Sequence, residues 1–288
     1  MSNASRSEIG TVVSVWRYPV KSMGGERLSV AQVQREGVVG DRSYAILDPS
    51  DGKVATAKNP RKWPTLFAFK ATCVETGRHE TVFPVRITLP DGTTVTSEQA
   101  ELNQALSKAL NREVQLIATE KGKVKGVPSS LPSSWMARSE EYWPDIEGRD
   151  HRETVTDFAL PTGTFFDAAM VHLLTTTTLK QLHDGYPQGR FDVPRFRPNL
   201  VVDPVGDSTG FTEHAWIGQT LAIGEGVRLR ITGPCGRCVM TTLPQGDLPK
   251  DPGILRTALQ LNHGYVGVYA TVVRGGTIQD GDQVRLNA

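Results

Sequence analysis

Short runs of β-branched and apolar residues recur along this chain, each ended by a cluster of turn formers. Ile9 to Trp16, Arg27 to Val33, Tyr44 to Leu47, Val54 to Ala57 and Leu66 to Val74 are such runs, and Asp48-Pro49-Ser50-Asp51-Gly52 is such a cluster. Runs of this kind fit strands, and closely spaced strands close into barrels or sandwiches. Gly (28) and Pro (18) make up about 16% of the 288 residues, against a usual ~12%, which leaves little room for long helices. Val85 to Leu89, Asp91-Gly92 and Thr94 to Thr96 read as a hairpin on an Asp-Gly turn. One helix is expected after Ser97 as its cap, with Leu102, Leu106, Ala109 and Leu110 on one face, followed by a strand over Glu113 to Thr119. The expected fold class is mostly β with a few short helices.

A chain of this length fits one or two domains at roughly 150 residues each. Lys121 to Asp150 shows no period, only Gly, Pro, Ser and charge around Trp135, Tyr142 and Trp143, and reads as a linker or long loop. The expected divisions are therefore 9–120, 121–150 and 151–288. In the last of these, Met170 to Thr175, Leu200 to Val202, Gln219 to Ile223, Val227 to Thr232 and Tyr265 to Val273 read as strands. Thr177 to Asp184 and Gly253 to Leu261 read as helices. Net charge is +1, which argues against a nucleic-acid surface across the whole protein but allows a local basic pocket. No apolar run approaches the ~18 residues of a membrane span, and no secretory signal opens the chain. Met1 to Glu8 reads as a flexible tail. Three cysteines make no disulfide framework and fit a reducing, cytoplasmic setting.

Three segments carry possible chemistry. Gly233-Pro234-Cys235-Gly236-Arg237-Cys238 follows an apolar strand. A dithiol redox site would need a βαβ setting, whereas Val239 to Pro244 reads as strand and turn. Half of a zinc site would need two further ligands, and His79, His151, His172, His183, His214 and His263 are scattered. A single metal-ligating thiolate at a pocket rim is the third reading, with Arg237 and the glycines favouring the thiolate. Simple packing of the two cysteines is the plain alternative. Arg195-Phe196-Arg197-Pro198-Asn199 offers guanidinium forks for phosphate or carboxylate, or a solvated pair. Tyr18-Pro19-Val20-Lys21-Ser22-Met23-Gly24-Gly25 offers a lysine and backbone amides in a Gly-rich turn, or an ordinary turn, and it lacks the P-loop order. Gly40-Asp41-Arg42 adds another arginine at a turn. Together, basic segments far apart in sequence and one thiol turn suit a pocket for a phosphate-bearing cofactor. His172 lies on an expected strand, where a core role and a pocket role are both open.

In this order, Tyr-Pro-Val-Lys-Ser, Gly-Asp-Arg, Phe-Arg-Pro-Asn and Gly-x-x-x-Cys-Gly-Arg-Cys-x-x-Thr-Thr resemble the MOSC family. The likeness runs from about residue 9 to 286 and is to the branch with an N-terminal β-barrel domain, which includes the amidoxime-reducing components. The resemblance implies a mostly β fold of two barrel-like parts and a molybdenum cofactor of the molybdopterin type. It implies Cys238 as the metal ligand and catalytic residue. It implies cofactor contacts from Lys21, Ser22, Arg42, Arg197, Asn199 and Tyr269. Ala168 and Ala169, after Asp167, stand where the reductase has Thr-Ser, so only backbone contacts are expected there. Cys235 is expected to be secondary. The implied activity is reduction of N-hydroxylated or other N-oxygenated small molecules, with electrons from a separate soluble electron-transfer protein, since no ferredoxin-like cysteine pattern is seen. A non-catalytic molybdenum cofactor or sulfur carrier is the alternative, and a zinc or dithiol binding protein a third.

Overall fold

A computed structural model gives the fold and describes residues 7–74, 82–120, 122–147 and 152–287. Residues 1–6 of the expected tail, His79 and His151 lie outside the described residues. In chain order the strands and helices are β1 (Glu8–Arg17), β2 (Glu26–Leu28), β3 (Val30–Gln34), β4 (Gly37–Val38), β5 (Tyr44–Asp48), β6 (Lys53–Val54), β7 (Lys70–Cys73), β8 (Val85–Thr88), β9 (Thr94–Thr96), α1 (Leu102–Leu110), β10 (Gln115–Glu120), β11 (Lys123–Lys125), β12 (Arg138–Trp143) and β13 (Thr154–Ala159). Then come β14 (Val171–Thr175), α2 (Thr176–Gly185), α3 (Val193–Phe196), β15 (Leu200–Pro204), β16 (Thr220–Ile223), β17 (Val227–Gly236), α4 (Gly253–Asn262), β18 (Tyr265–Arg274), β19 (Gly276–Gln279) and β20 (Gln283–Asn287). The fold is mostly β, as the turn-punctuated sequence predicts.

The largest sheet runs β15-β14-β18-β17-β16-β20-β1-β2, and β1 also pairs with β15, so all but β2 close into a seven-strand barrel. Six of them come from the second half of the chain and the seventh is its first strand. Closure leaves no free edge among those seven. The interior alternates with the pleat: Val12, Val15, Leu173, Leu200, Val202, Leu221, Leu229, Ile231, Val268 and Val284 are buried together. β3 pairs with β19, a second tie between the two ends of the chain.

The rest of the first half forms short sheets, β11-β10-β5-β6 and β7-β8-β9, with α1 packed on them. Val20, Met23, Ile46, Phe69, Ile87 and Leu106 fill this second core, and Val239, Met240 and Leu243 enter it from the far end of the chain.

Several local expectations change. The run Leu66 to Val74 begins as a 3-10 turn over Leu66–Ala68 and becomes strand only at Lys70. The run Val54 to Ala57 is strand only as far as Val54. Ser97 does not cap α1: its hydroxyl accepts from the Val85 N–H at 3.0 Å, and the helix starts at Leu102. Val239 to Thr242 is a 3-10 turn, not a strand, because its apolar side chains are drawn down into the second core. The stretch 121–150 holds β11 and β12, and β12 pairs with β13 from Arg138↔Ala159 to Trp143↔Thr154.

Leu229 is fully buried in the barrel, while Val273 on the neighbouring strand is 63% exposed. Leu229→Ala should lower stability by about 2–5 kcal/mol, and Val273→Ala should change it by less than about 0.5 kcal/mol. Urea unfolding of the two variants checks the difference.

Candidate functional site

Between the barrel and the second core lies a cavity lined by segments from both halves of the chain. Lys21, Ser22, Arg42, Ala168, Ala169, Arg197, Asn199, Cys238 and Tyr269, the nine residues named from sequence, all line it. Lys58, Asp167, His172, Arg195, Cys235 and Arg237 line it too. Its volume is about 110 Å³, and the side chains of Lys58 and Asp167 in its lining are partly exposed.

The cysteine turn is aimed by β17. Register shifts fall between Ile231 and Gly233 and between Pro234 and Gly236, so the strand bends where Gly and Pro stand. The turn is then fastened from below. Arg195 is 1% exposed, and its guanidinium donates to the carbonyls of Arg190, Thr241, Leu243 and Pro249. Of the two arginines that flank Phe196, one is therefore spent on the scaffold. Arg197, in left-handed backbone at φ 53°, turns the other way into the cavity. Ser22 (φ 62°) and Arg42 (φ 47°) share that uncommon conformation. Three strained non-glycine residues on one cavity wall mark a site held in place by its surroundings.

The lining is strongly cationic: Lys21, Arg42, Lys58, Arg195, Arg197 and Arg237 face one acid, Asp167. The Lys21 ammonium pairs with Asp167 and donates to the Phe165 carbonyl at 3.2 Å. Arg42 pairs with the buried Asp41 and lies 4.7 Å from the centroid of the Tyr18 ring. Arg197 lies 4.3 Å from that centroid, so two guanidiniums share one aromatic. Arg197 donates to the Met23 carbonyl and is in no ion pair among the described residues. Burial and the neighbouring Arg42 push it down to about 10. Burial alone would raise the Asp167 carboxyl, but the Lys21 and Lys58 ammoniums hold it well below the usual carboxylate range. A buried guanidinium without an acid, beside a second one, is a receptor for an anion.

Asn199 accepts from the His172 N–H at 3.1 Å and donates to Asp41 at 3.0 Å, so its amide braces the strands behind Arg42. The Ser22 hydroxyl accepts from the Ala57 N–H at 3.0 Å and keeps its own proton to give. Tyr269 stands edge-on to His172, with ring centroids 6.3 Å apart.

Arg237 donates to the Cys235 sulfur at 2.6 Å and to the Phe196 carbonyl, and its charge also favours the Cys238 thiolate, as the sequence implied. Burial raises the Cys238 thiol above its ordinary value, and Lys58 offsets this more than Arg237 does. Lys58 and Asp167 stand outside the motif arguments; only the closeness of Asp167 to Ala168 signalled it. Among the described residues no three His, Cys, Asp or Glu gather as a metal site, so a zinc site of protein ligands alone has no ligand set there.

Residues 161–285 match the MOSC domain and residues 9–125 the MOSC N-terminal beta barrel domain. The chain belongs to the MOSC family. Among curated relatives, the mouse protein named mitochondrial amidoxime-reducing component 1 is 25% identical, over 97% of this chain and 83% of its own length. The human protein of the same name is 25% identical over 82% of this chain and 67% of its own length. Superposition on the YUAD protein from Bacillus subtilis gives a TM-score of 0.47 at 11% identity, over 96% of this chain and 95% of that one. Among the described residues of this MOSC protein no helix is long and apolar enough to cross a membrane.

His172 is buried and pushed down to about 3, chiefly by burial and then by Arg237. Its folded value lies below the ~6.5 of an unfolded chain. The unfolded chain therefore binds a proton below pH ~6.5 that the folded one refuses until about pH 3. The stability it contributes is present above pH ~6.5 and is lost as pH falls toward 3. The urea midpoint should drop between pH 7 and 5, and drop less in His172→Gln. Equal slopes in the two proteins would contradict the assignment.

Proposed function

We propose that this chain binds a molybdenum cofactor of the molybdopterin type in the cavity. In this reading it reduces N-hydroxylated or other N-oxygenated small molecules, with electrons from a separate soluble electron-transfer protein. One observation carries the reading: the half-buried thiol of Cys238 lines one cavity with six basic residues and one acid, drawn from both halves of the chain. Its membership of the MOSC family and the two relatives named amidoxime-reducing component support it.

The donor set fits such a group. An ion held by one protein sulfur needs its remaining ligands from an organic carrier, and a pterin dithiolene supplies them. The phosphate of that carrier needs cations that are not already neutralised, and Arg197 is one. When bound, the cofactor supplies a two-electron change that cleaves an N–O bond. The protein's own residues bind and orient. Arg197 holds the phosphate directly, and Lys21 and Arg42, each already paired with an acid, can turn a remaining N–H toward it, each charge-assisted contact contributing about 1.5–3 kcal/mol. Tyr269 and the neutral His172 wall the cavity against bulk water. The overall change takes two electrons and two protons to an N–OH group and releases water.

Protein purified anaerobically from a molybdate-replete host should contain molybdenum and pterin near one per chain and turn over amidoximes with a chemical reductant. Cys238→Ser should lose molybdenum and turnover, and Arg197→Glu should weaken cofactor retention about tenfold or more. Wild-type turnover and molybdenum content in Cys238→Ser would refute the ligand assignment. Molybdenum with no turnover under any donor would favour a carrier.

A further inference from the structure

Lys58 belongs to none of the sequence motifs, yet it lines the same cavity as Cys238. Its backbone is fixed on both sides: Ala57 donates to the Ser22 hydroxyl at 3.0 Å, and the Lys58 N–H donates to the Thr56 hydroxyl at 3.1 Å. Its ammonium lies 3.3 Å from Glu141 on β12, 3.7 Å from Asp167 and 4.7 Å from the centroid of the Phe158 ring on β13.

The other basic residues of the lining are anchored to backbone carbonyls. Lys21 donates to Phe165, Arg42 to Arg197, Arg195 to four carbonyls, Arg197 to Met23 and Arg237 to Phe196. Lys58 alone is held only by carboxylate side chains, and these are partly exposed, Glu141 at 15% and Asp167 at 30%. An ammonium has three N–H donors. One is directed at Glu141, and Asp167 at 3.7 Å is an ion-pair partner beyond hydrogen-bond reach, so among the described residues the ammonium keeps donor capacity to give.

We propose that Lys58 is the residue that hydrogen-bonds the oxygen atom of the substrate beside Cys238, and that Glu141 positions it. The inference rests on the reductase reading above. As the N–O bond takes up two electrons from the electron-transfer protein and two protons from solvent, negative charge builds on the departing oxygen, which leaves as water. The fixed ammonium stabilises that charge through a hydrogen bond and keeps its own protons. Glu141 and Asp167 keep the lysine charged and fix its place in the cavity lining.

The test uses the cofactor-loaded protein and a cofactor-free sample. Lys58→Met should retain wild-type molybdenum and pterin while kcat falls about 10- to 100-fold. Lys58→Arg should recover most of that loss, and Glu141→Gln should lower kcat several-fold with KM unchanged. In cofactor-free protein, the ratio of iodoacetate to iodoacetamide alkylation at Cys238, read by peptide mass, reports the local positive charge. That ratio should fall about threefold or more in Lys58→Met. Loss of molybdenum and pterin in Lys58→Met, to the extent seen in Arg197→Glu, would put the lysine in the cofactor cradle and overturn the proposal. So would a loaded Lys58→Met with wild-type kcat, or an unchanged alkylation ratio. A wild type with neither molybdenum nor turnover sinks the reductase reading itself.

Discussion

The site exists because a short turn from one half of the chain is buried in the core of the other. Val239, Met240 and Leu243 leave the barrel and pack with Val20, Met23, Ile46 and Leu106. Burying such side chains is worth about 1.5–3 kcal/mol each. Cys238, just before them, is thereby pinned at the seam, and Arg195 locks the same turn through four carbonyls. Everything cationic in the cavity is arranged around a sulfur whose position is set by hydrophobic packing.

Crowding like charges into such a seam is costly, and the structure shows how the cost is spread. Tyr18 lends one ring to two guanidiniums. Asp41, wholly buried, accepts from the Tyr18 N–H and from Asn199 while it pairs with Arg42. Ser22, Arg42 and Arg197 are held at positive φ by these contacts. Net charge over the whole chain is +1, so this potential is local and is not shared by the outer surface.

Much of this was legible in the sequence, for definite reasons. Strands announced themselves where β-branched runs met Gly or Asp-Gly turns, as at β8 and β9. Lys21, Ser22, Arg42, Arg197, Asn199 and Cys238 sit in motifs whose residue types suit anion or metal contact, whereas Ala168, Ala169 and Tyr269 were reached through the family resemblance alone. What the sequence hid depends on tertiary contact. Lys58 lies in an ordinary Thr-Ala-Lys segment, and only the approach of β12, β13 and the Asp167 segment gives it two acids and an aromatic face. Arg195 and Arg197 look equivalent in the chain and are separated only by the left-handed turn between them. The apolar Val239–Leu243 run resembles a strand until its burial partners are known. Ser97 has the chemistry of a helix cap, and the hairpin claims its hydroxyl first.

The seven-strand barrel also has a temporal consequence. It closes only when β1 pairs with β15 and β20, strands far away along the chain. Contacts over so long a loop cost the most chain entropy and are a slow kind to form. Until they form, the open edges of that sheet are templates for mispairing.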